Sequence, residues 1–443
     1  MSETSDSEIV STKTERIAKL AKQAPTMVIK TLAHHMDAAW LREAYRRTRK
    51  DGATGVDGQT AEEYAKDLER NLERLLERAK AGSYRAPPVR RVHIPKGDGQ
   101  TRPLGIPTFE DKVLQRAVAM LLEAVYEQDF LDCSYGFRPS RSAHQALGTL
   151  RDALMEMGGG WVLEVDIRNY FGSIDHGHLR GALHQRIGDG VVLRLIGKWL
   201  NAGVQEEGQL SYPDAGTPQG GVISPILSNV YLHVVLDTWF ESEVRPRLRG
   251  RAKLVRFADD FVIAFEREDD ARRVHEVLPK RFEKYGLVLH QEKTRLVPFQ
   301  KPPWSKDDDG TTGGTARETL DLLGFTHYWA RSERRYWVIK LETARNRFTR
   351  TLHKLNEWCR RNRHRAVSDQ WVRICKALVG HYNYYGVMGN AGRLLALRHA
   401  TYRIWRMWLN RRSQRARVTW AKMRLLIQRY PLPRLPEPRS LRS

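Results

Sequence analysis

The sequence predicts an α+β fold over its first three quarters and a separate, strongly basic α-helical region after it. Helical periodicity alternates with short apolar, strand-like segments as far as about residue 335, and long helices follow. The charge changes at the same place, because residues 1–330 hold 47 basic and 47 acidic residues, whereas residues 331–443 hold 28 and 5. The whole net charge of +23 therefore lies in the C-terminal region, and its interleaved arginines and tryptophans favour a nucleic acid as the partner.

Composition excludes several other classes of protein. No run of about 18 apolar residues occurs, so no membrane span is predicted. The first 16 residues are polar, which does not fit a secretory signal. Three cysteines, Cys133, Cys359 and Cys375, can form neither a disulfide framework nor a four-cysteine zinc site. We therefore expect a protein of a reducing, cytoplasmic compartment with no membrane partner.

The neutral part divides into a regular series of elements. A leader of about 25 residues precedes two helical segments, which the turn-rich connector DGATGVDGQT separates. Strands are predicted on both sides of Gly97-Asp98-Gly99 within 89–107, at 161–167 and in a hairpin at 254–265, and helices at 35–50, 61–80, 110–126 and 268–285. Residues 305–315 form a predicted surface loop rich in Gly, Thr and Asp, and residues 431–443 are rich in Pro and Arg.

Three acidic residues lie at the ends of predicted strands. Asp166 ends a buried apolar strand, and Asp259 and Asp260 lie at the tip of the hairpin 254–265. By itself the Asp259-Asp260 pair also fits a solvated turn. Carboxylates in apolar surroundings are costly, however, unless they are paired or bound to a cation. If the two strands are neighbours in one sheet, Asp166 and Asp259 can together hold two hard divalent cations, as an in-line nucleotidyl transfer requires.

Eight sequence blocks in order resemble those of group II intron-encoded reverse transcriptases/maturases over roughly residues 30–415. The blocks are RPLGIPTFEDKVLQRAVAMLLE (102–123), SYGFRPSRSAHQAL (134–147), VLEVDIRNYFGSIDH (162–176), AGTPQGGVISPILSNVYLH (215–233), RFADDFVIAF (256–265), GLVLHQEKTRLV (286–297), LLGF (322–325) and GHYNYYGVMGN (380–390). The resemblance implies a right-hand polymerase. Its parts would be a leader (1–29), fingers (30–160), a palm with an antiparallel sheet (161–335), an α-helical thumb/maturase domain (336–415) and a basic tail (416–443).

The resemblance also implies RNA-directed DNA synthesis with two Mg²⁺ ions. Asp166, Asp259 and Asp260 match the catalytic triad and would bind the metal together with the carbonyl oxygen of Ile167. The nucleotide-binding residues would be Lys96 and Arg102 on the triphosphate, Phe171 as a steric gate against the ribose 2′-hydroxyl, Gln219 at the templating nucleotide, and Lys293 near the phosphates. Leu323, Gly324 and Phe325 resemble the primer grip.

The implied partners are the parent group II intron RNA, an RNA template with its DNA primer, dNTPs and target DNA. Two arginine runs would bind the intron RNA: Arg360, Arg361, Arg363 and Arg365, then Arg411, Arg412, Arg415 and Arg417. The pattern departs from the family at Phe257, where Tyr is usual. No nuclease motif is visible after Arg417, which implies an enzyme without its own bottom-strand cleavage.

Three other functions remain open from the sequence. The first is a domesticated relative that works in phage defence, CRISPR spacer capture or DNA repair. The second is a non-catalytic RNA-binding splicing factor, against which the intact Asp166, Asp259 and Asp260 argue. The third is an RNA-templated RNA polymerase, which Phe171 disfavours because its ring would collide with a ribose 2′-hydroxyl.

Overall fold

A computed structural model describes residues 2–95, 101–212, 215–216, 220–302, 318–415 and 417–441. The chain divides into two compact units, neither of which is a continuous stretch of sequence. The first unit comprises Met1–Ser142, Val165–Ile263 and Asp269–Arg295, and the second comprises Ala143–Glu164, Ala264–Glu268 and Leu296–Ser443.

Helices dominate the described residues, and strands occur in short groups between them. The helices are α1 Ser2–Gln23, α2 Ala38–Arg47, α3 Ala61–Ala65, α4 Leu68–Ala81, α5 Phe109–Tyr126, α6 Ala143–Met157, α7 Tyr170–Ser173, α8 His176–His184, α9 Gly190–Leu200, α10 Ser224–Leu232, α11 Glu268–Glu283, α12 Arg345–Arg361, α13 Val367–Tyr385, α14 Ala391–Asn410 and α15 Trp420–Arg429. The strands are β1 Val89–Pro95, β2 Thr101–Ile106, β3 Gly159–Val165, β4 Val204–Glu206, β5 Gln209–Ser211, β6 Ala252–Phe257, β7 Asp260–Phe265, β8 Arg295–Gln300, β9 Leu320–Leu322, β10 Phe325–Arg331 and β11 Trp337–Thr343. The predicted mixture of helices and antiparallel strands is confirmed.

The strands form three sheets. Strands β1 and β2 make the predicted antiparallel hairpin, in which Ile94 pairs with Arg102, and they belong to a sheet of order β2-β1-β4-β5. A second sheet has the order β11-β10-β9, and a third has the order β6-β7-β3-β8. Strands β3 and β7 are neighbours, so the strand that ends before Asp166 and the strand that begins at Asp260 lie side by side. The sequence-based expectation of a shared site depends on this pairing.

In the first unit, helix α5 is the central helix. It is buried along almost its whole length, because apolar residues occupy most of its faces, and Thr108 caps its N-terminus by accepting a hydrogen bond from Asp111 N. Helices α1, α2 and α10 pack against it. The predicted helix at 61–80 is divided in two, since α3 ends at Ala65 and α4 begins at Leu68.

The second unit contains a helical core near the C-terminus. Helices α12, α13, α14 and α15 bury an apolar cluster that includes Leu355, Ile374, Leu378, Leu397 and Trp405. Most of the region's aromatic residues therefore serve packing. Residues 416–443 are predicted to form a basic tail, and in the structure Met423 of α15 joins this core, as does Leu432 in the Pro-rich segment. Among the described helices, none is long and apolar enough to cross a membrane.

Candidate active site

Asp166 directly follows β3 and is held by backbone pairing with residues 288–290. Its carbonyl oxygen accepts a hydrogen bond from His290 N at 2.8 Å, and Arg168 N donates to Val288 O at 2.8 Å. Ile167 lies between them, opposite Leu289, as a non-hydrogen-bonded antiparallel pair. The carbonyl oxygen of Ile167 is therefore directed away from this partner segment.

The Asp166 side chain is 35% exposed and forms an ion pair with Lys293, whose Nζ lies 3.0 Å from Asp166 Oδ2. The sequence analysis placed Lys293 near the phosphates of the nucleotide. In the structure its ammonium group reaches one of the acidic residues directly, because the segment that carries it is paired with the backbone around Asp166. Lys293 itself is 63% exposed, so its side chain can also reach solvent and ligands.

Asp259 lies in the tight turn between β6 and β7, and Asp260 is the first, exposed residue of β7. Burial raises the pKa of the Asp259 carboxyl, the nearby Asp166 carboxylate adds to this, and the Arg102 guanidinium opposes it. Asp166, Asp259 and Arg102 therefore act on one another electrostatically, although 157 and 93 positions separate Asp259 from Arg102 and Asp166 in the chain. The hairpin β1–β2 thus brings a cation to the acidic residues.

A buried arginine fixes the turn that carries Asp259. Arg256 and Asp237 are both 0% exposed and form a two-pronged ion pair, with Arg256 Nε 2.8 Å from Asp237 Oδ1 and Nη2 2.5 Å from Oδ2. The same guanidinium donates to Asn229 Oδ1, to Ser134 Oγ and to the carbonyl oxygen of Ala258. Every arm of the guanidinium is therefore occupied, and one of them holds the residue before Asp259.

The backbone of this turn is strained and closely packed. Ala258 has φ +58°, a conformation that residues with a Cβ atom rarely adopt. Gly136 packs directly on it, and a Cβ atom at residue 136 would lie 2.3 Å from Ala258 N. Asn229 Nδ2 donates to the carbonyl oxygen of Gly136, so the same polar network secures both sides of the contact. Only glycine fits at position 136 without moving the turn.

The donor set at this site suits a hard cation that a substrate helps to bind. Within the described ranges, no cluster of three or more His, Cys, Asp or Glu residues is arranged to hold a metal ion. The pair of carboxylates Asp166 and Asp259 is instead the kind of set that binds Mg²⁺ together with water and substrate phosphates. Their mutual repulsion, together with the burial of Asp259, favours a cation between them.

Phe171 lies near the acidic residues in sequence and next to Gly216, of the sequence block 215–233, in space. It belongs to the short helix α7, and its ring contacts that of Tyr170 edge-on at 5.2 Å between centroids. Gly216 has φ +94°, and a Cβ atom there would lie 2.9 Å from the carbonyl oxygen of Phe171. The predicted Lys96 and Gln219 lie outside the described residues.

Comparison with known proteins gives the family of this chain. The family model for reverse transcriptase (RNA-dependent DNA polymerase) matches residues 94–327, which is more than half of the chain. The chain belongs to the reverse transcriptase family. The matched region contains strand β2 with Arg102, the segment after β3 that carries Asp166, and the turn that carries Asp259.

The curated relatives of this reverse transcriptase include intron-encoded proteins. The chain is 36% identical over 287 residues to protein YkfC of Escherichia coli, which is 58% of the chain and 75% of that protein. It is 39% identical over 225 residues to the group II intron-encoded protein LtrA of Lactococcus lactis, which is 49% of the chain and 37% of LtrA. It is 40% identical over 171 residues to an uncharacterised 91 kDa protein in the cob intron of Schizosaccharomyces pombe, which is 39% of the chain and 21% of that protein.

The predicted primer-grip residues of the reverse transcriptase lie in the second unit. Leu323 and Gly324 both have positive φ, +51° and +81°, and form the turn between β9 and β10. The hydroxyl group of Tyr384 donates to the carbonyl oxygen of Leu323 at 2.8 Å. Phe325 is fully buried and packs on the rings of Tyr384 and Tyr385. The LLGF turn therefore packs directly against the GHYNYYG block at the end of α13.

The predicted RNA-binding arginines surround the ends of α12 and α14. Arg360 and Arg361 lie in the last turn of α12 and interact with Glu357 on the same helix. Arg411 packs over the Trp408 ring, and Arg412 donates to the carbonyl oxygen of Arg365, so the two runs meet. Arg360, Arg361, Arg365, Arg411, Arg415 and Arg417 are exposed, and Arg363 and Arg412 are partly exposed.

The sequence analysis missed the residues that support the site. Arg256, Asp237 and Asn229 make no local pattern, because their partners are brought together only by the fold. One signal was present: a charged residue, Arg256, lies in the apolar first strand of the predicted hairpin 254–265, directly before the acidic turn. A buried charge at such a position requires a partner of opposite charge, and Asp237 is that partner.

Proposed function

We propose that this chain is an RNA-directed DNA polymerase that copies an RNA template from a DNA primer with dNTPs. The observation that carries the proposal is that Asp259, in the first unit, lies within electrostatic range of both Asp166 and Arg102. Two carboxylates beside a guanidinium suit a triphosphate whose charge is shared between metal ions and a cationic side chain. The family membership of the chain supports RNA as the template.

Asp166 and Asp259 would hold two Mg²⁺ ions, with the Ile167 carbonyl oxygen and Asp260 completing the set. Metal held there would supply a lower pKa for the attacking 3′-hydroxyl group and stabilisation of the leaving pyrophosphate. The chain's own contribution is positioning, since the Arg256–Asp237 pair holds the turn of Asp259 and the backbone pairing with residues 288–290 holds Asp166. Arg102 binds the triphosphate, and Lys293 adds a second cation for its phosphate oxygens.

The predicted parts of a right hand fit this proposal. The hairpin β1–β2 belongs to the fingers, the acidic residues to the palm, and helices α12–α14 to the thumb/maturase domain. The boundaries at residues 30, 161, 336 and 416 remain predictions of the sequence analysis.

We expect Phe171→Ala to weaken the selection of deoxynucleotides over ribonucleotides by roughly tenfold or more. The ring occupies the space that a ribose 2′-hydroxyl group needs, and alanine leaves that space open. The ratio of kcat/KM for dCTP and CTP on one RNA template measures the effect. Tyr212→Ala, an exposed aromatic residue in the first unit, is the matched control. An unchanged ratio in Phe171→Ala would remove the gate from the proposal.

The second proposed role is binding of the parent group II intron RNA for splicing and intron mobility, with target DNA as the further substrate. The name of LtrA supports it, and so does the cluster of exposed arginines at the ends of α12 and α14. Double-helical RNA is bound mainly through its backbone and shape, which suits such a cluster. Sequencing the RNA that co-purifies with the chain tests this role: an intron RNA is expected, and a random RNA population contradicts it.

Replacing Arg360, Arg361 and Arg363 together with Gln is expected to weaken intron RNA binding and to lower the slope of log K against log salt by about 2. RNA binding releases counterions from each phosphate that a cationic side chain neutralises, so fewer are released when these contacts are lost. Filter binding at several salt concentrations measures the slope. The control replaces three exposed cations of α4, Arg70, Arg74 and Lys80, by Gln. Equal losses in both triple variants would show that total charge, and not this cluster, determines binding.

A further inference from the structure

Helix α5 carries a buried carboxylate that the proposed chemistry does not use. Asp111 is 1% exposed and, within the described residues, makes no ion pair with Lys or Arg. Burial raises the pKa of its carboxyl group to about 6, while three side-chain donors oppose this: Tyr84 Oη, Trp199 Nε1 at 2.6 Å and Gln115 Nε2 at 3.0 Å. A buried carboxylate that accepts several hydrogen bonds fixes the orientation of their donors.

Gln115 connects this carboxylate to Val222 and Ile223, which follow Gly220 in the sequence block 215–233. Its Nε2 donates to Asp111, and its Oε1 accepts from Val222 N at 2.8 Å and from Ile223 N at 3.3 Å. Ile223 is the N-cap of α10 and offers no side-chain cap, so the Gln115 carbonyl satisfies backbone donors at the start of that helix. Since an amide has one donor side and one acceptor side, Asp111 determines which side faces the segment.

The segment held in this way, residues 220–223, packs against the hairpin that carries Arg102. Gly220 has φ +113°, and a Cβ atom there would lie 2.9 Å from the carbonyl oxygen of Gly105 on β2. Gly105 is three residues from Arg102 on the same strand. A shift of residues 220–223 would therefore press on the hairpin or open a gap beside it, since residue 220 has no room even for a Cβ atom against β2.

We propose that Gln115 is a positioning residue for template–nucleotide pairing: its amide, oriented by Asp111, fixes residues 220–223 next to the triphosphate-binding hairpin. The inference rests on the proposed function, and on the expectation from the sequence that Gln219, in the block 215–233, lies at the templating nucleotide. Neither residue contacts the reacting atoms. Their effect is transmitted through the backbone amides of Val222 and Ile223.

In the Asp111–Gln115 pair, Asp111 accepts and Gln115 donates. Each of two single variants breaks this pairing, and the double variant restores it with donor and acceptor exchanged. Gln115→Glu places two carboxylates side by side with no donor between them. Asp111→Asn places an amide donor against Gln115 Nε2, and turning the Gln115 amide would then aim its NH₂ group at Val222 N. In the double variant Asp111→Asn/Gln115→Glu, the new Asn donates to the new Glu, whose other oxygen accepts from Val222 and Ile223. All partners are satisfied again.

The test measures amide hydrogen exchange in residues 220–227, kcat and KM for dNTP, and the thermal midpoint, all at a temperature where every variant is folded. Both single variants are expected to exchange faster in this segment and to raise KM for dNTP about tenfold. The double variant is expected to return both quantities to within about threefold of wild type, and the exposed Gln128→Glu control to leave them unchanged.

Two results would overturn the inference. The first is a lower thermal midpoint in the single variants with wild-type exchange in residues 220–227 and wild-type KM, which means a purely structural role. The second is a double variant that is no better than the single variants. A wild-type chain that extends no primer overturns the proposed function instead, and the exchange data then decide by themselves whether Gln115 holds the segment.

Discussion

Asp259→Asn is expected to reduce primer extension on an RNA template by about 10³-fold or more. The substitution keeps the volume of the side chain but removes one of the two carboxylates to which we assign the metal, and each 1.36 kcal/mol of lost transition-state stabilisation is a factor of ten. Single-turnover extension of a labelled primer with Mg²⁺ and dNTPs measures the rate. Binding of the RNA–DNA hybrid should change little, because the exposed arginines of the second unit remain.

The matched control for this experiment is Glu276→Gln. It makes the same carboxylate-to-amide change on the exposed face of α11, and it should extend primers at the wild-type rate. Asp259→Asn at more than a tenth of the wild-type rate would mean that the carboxylate of Asp259 takes no essential part in the chemistry. The assignment of Asp166 and Asp259 as one site would then be wrong.

Asp237→Ala is expected to destabilise the chain by about 3–5 kcal/mol. The substitution leaves the guanidinium of Arg256 buried without its counter-charge, and an unpaired buried charge is among the most costly defects in a folded protein. The hydrogen bonds from Arg256 to Asn229 and Ser134 remain, but they carry no compensating charge. Urea unfolding followed by circular dichroism measures the free energy of unfolding.

A comparison with an exposed ion pair separates this effect from a general loss of charge. Arg49 and Asp51 form such a pair, with about three quarters of each side chain exposed, and Asp51→Ala should leave the unfolding midpoint unchanged. A loss of less than about 1 kcal/mol in Asp237→Ala would contradict the buried pair as a determinant of stability. The double variant Arg256→Met/Asp237→Leu should recover much of the loss, because it removes both charges together.

The elements that the sequence predicted correctly are those with a local signal. The sequence around Gly97-Asp98-Gly99 has turn residues between two extended runs, and β1 and β2 pair as predicted, while residues 97–99 themselves lie outside the described residues. Helix α5 was predicted at 110–126 and spans Phe109–Tyr126, because a capping residue precedes a long apolar periodic stretch. The proximity of Asp166 and Asp259 followed from one assumption, that β3 and β7 are neighbours, and the sheet order bears it out.

The features that the sequence did not predict depend on contacts between distant residues. The Arg256 guanidinium binds Ser134, which is 122 positions away, and Gln115 holds Val222, which is 107 positions away. No periodicity marks such pairs. Helix α15 falls in the part assigned to a basic tail, 416–443, although six of its ten residues are apolar. A polar residue inside an apolar helix or strand, such as Asp111 or Arg256, is a sequence signal for a buried polar group, and such a group requires a partner elsewhere in the chain.

We propose that Asp166 and Asp259 jointly bind the divalent cation of one polymerase site. Hydroxyl-radical cleavage by iron(II) tests it most directly, because iron bound in place of Mg²⁺ cuts the polypeptide next to its ligands. We predict cuts near both residue 166 and residue 259, which excess Mg²⁺ suppresses and Asp259→Asn abolishes at both places. Cleavage at only one of the two positions, or cleavage that survives in Asp259→Asn, would contradict the account.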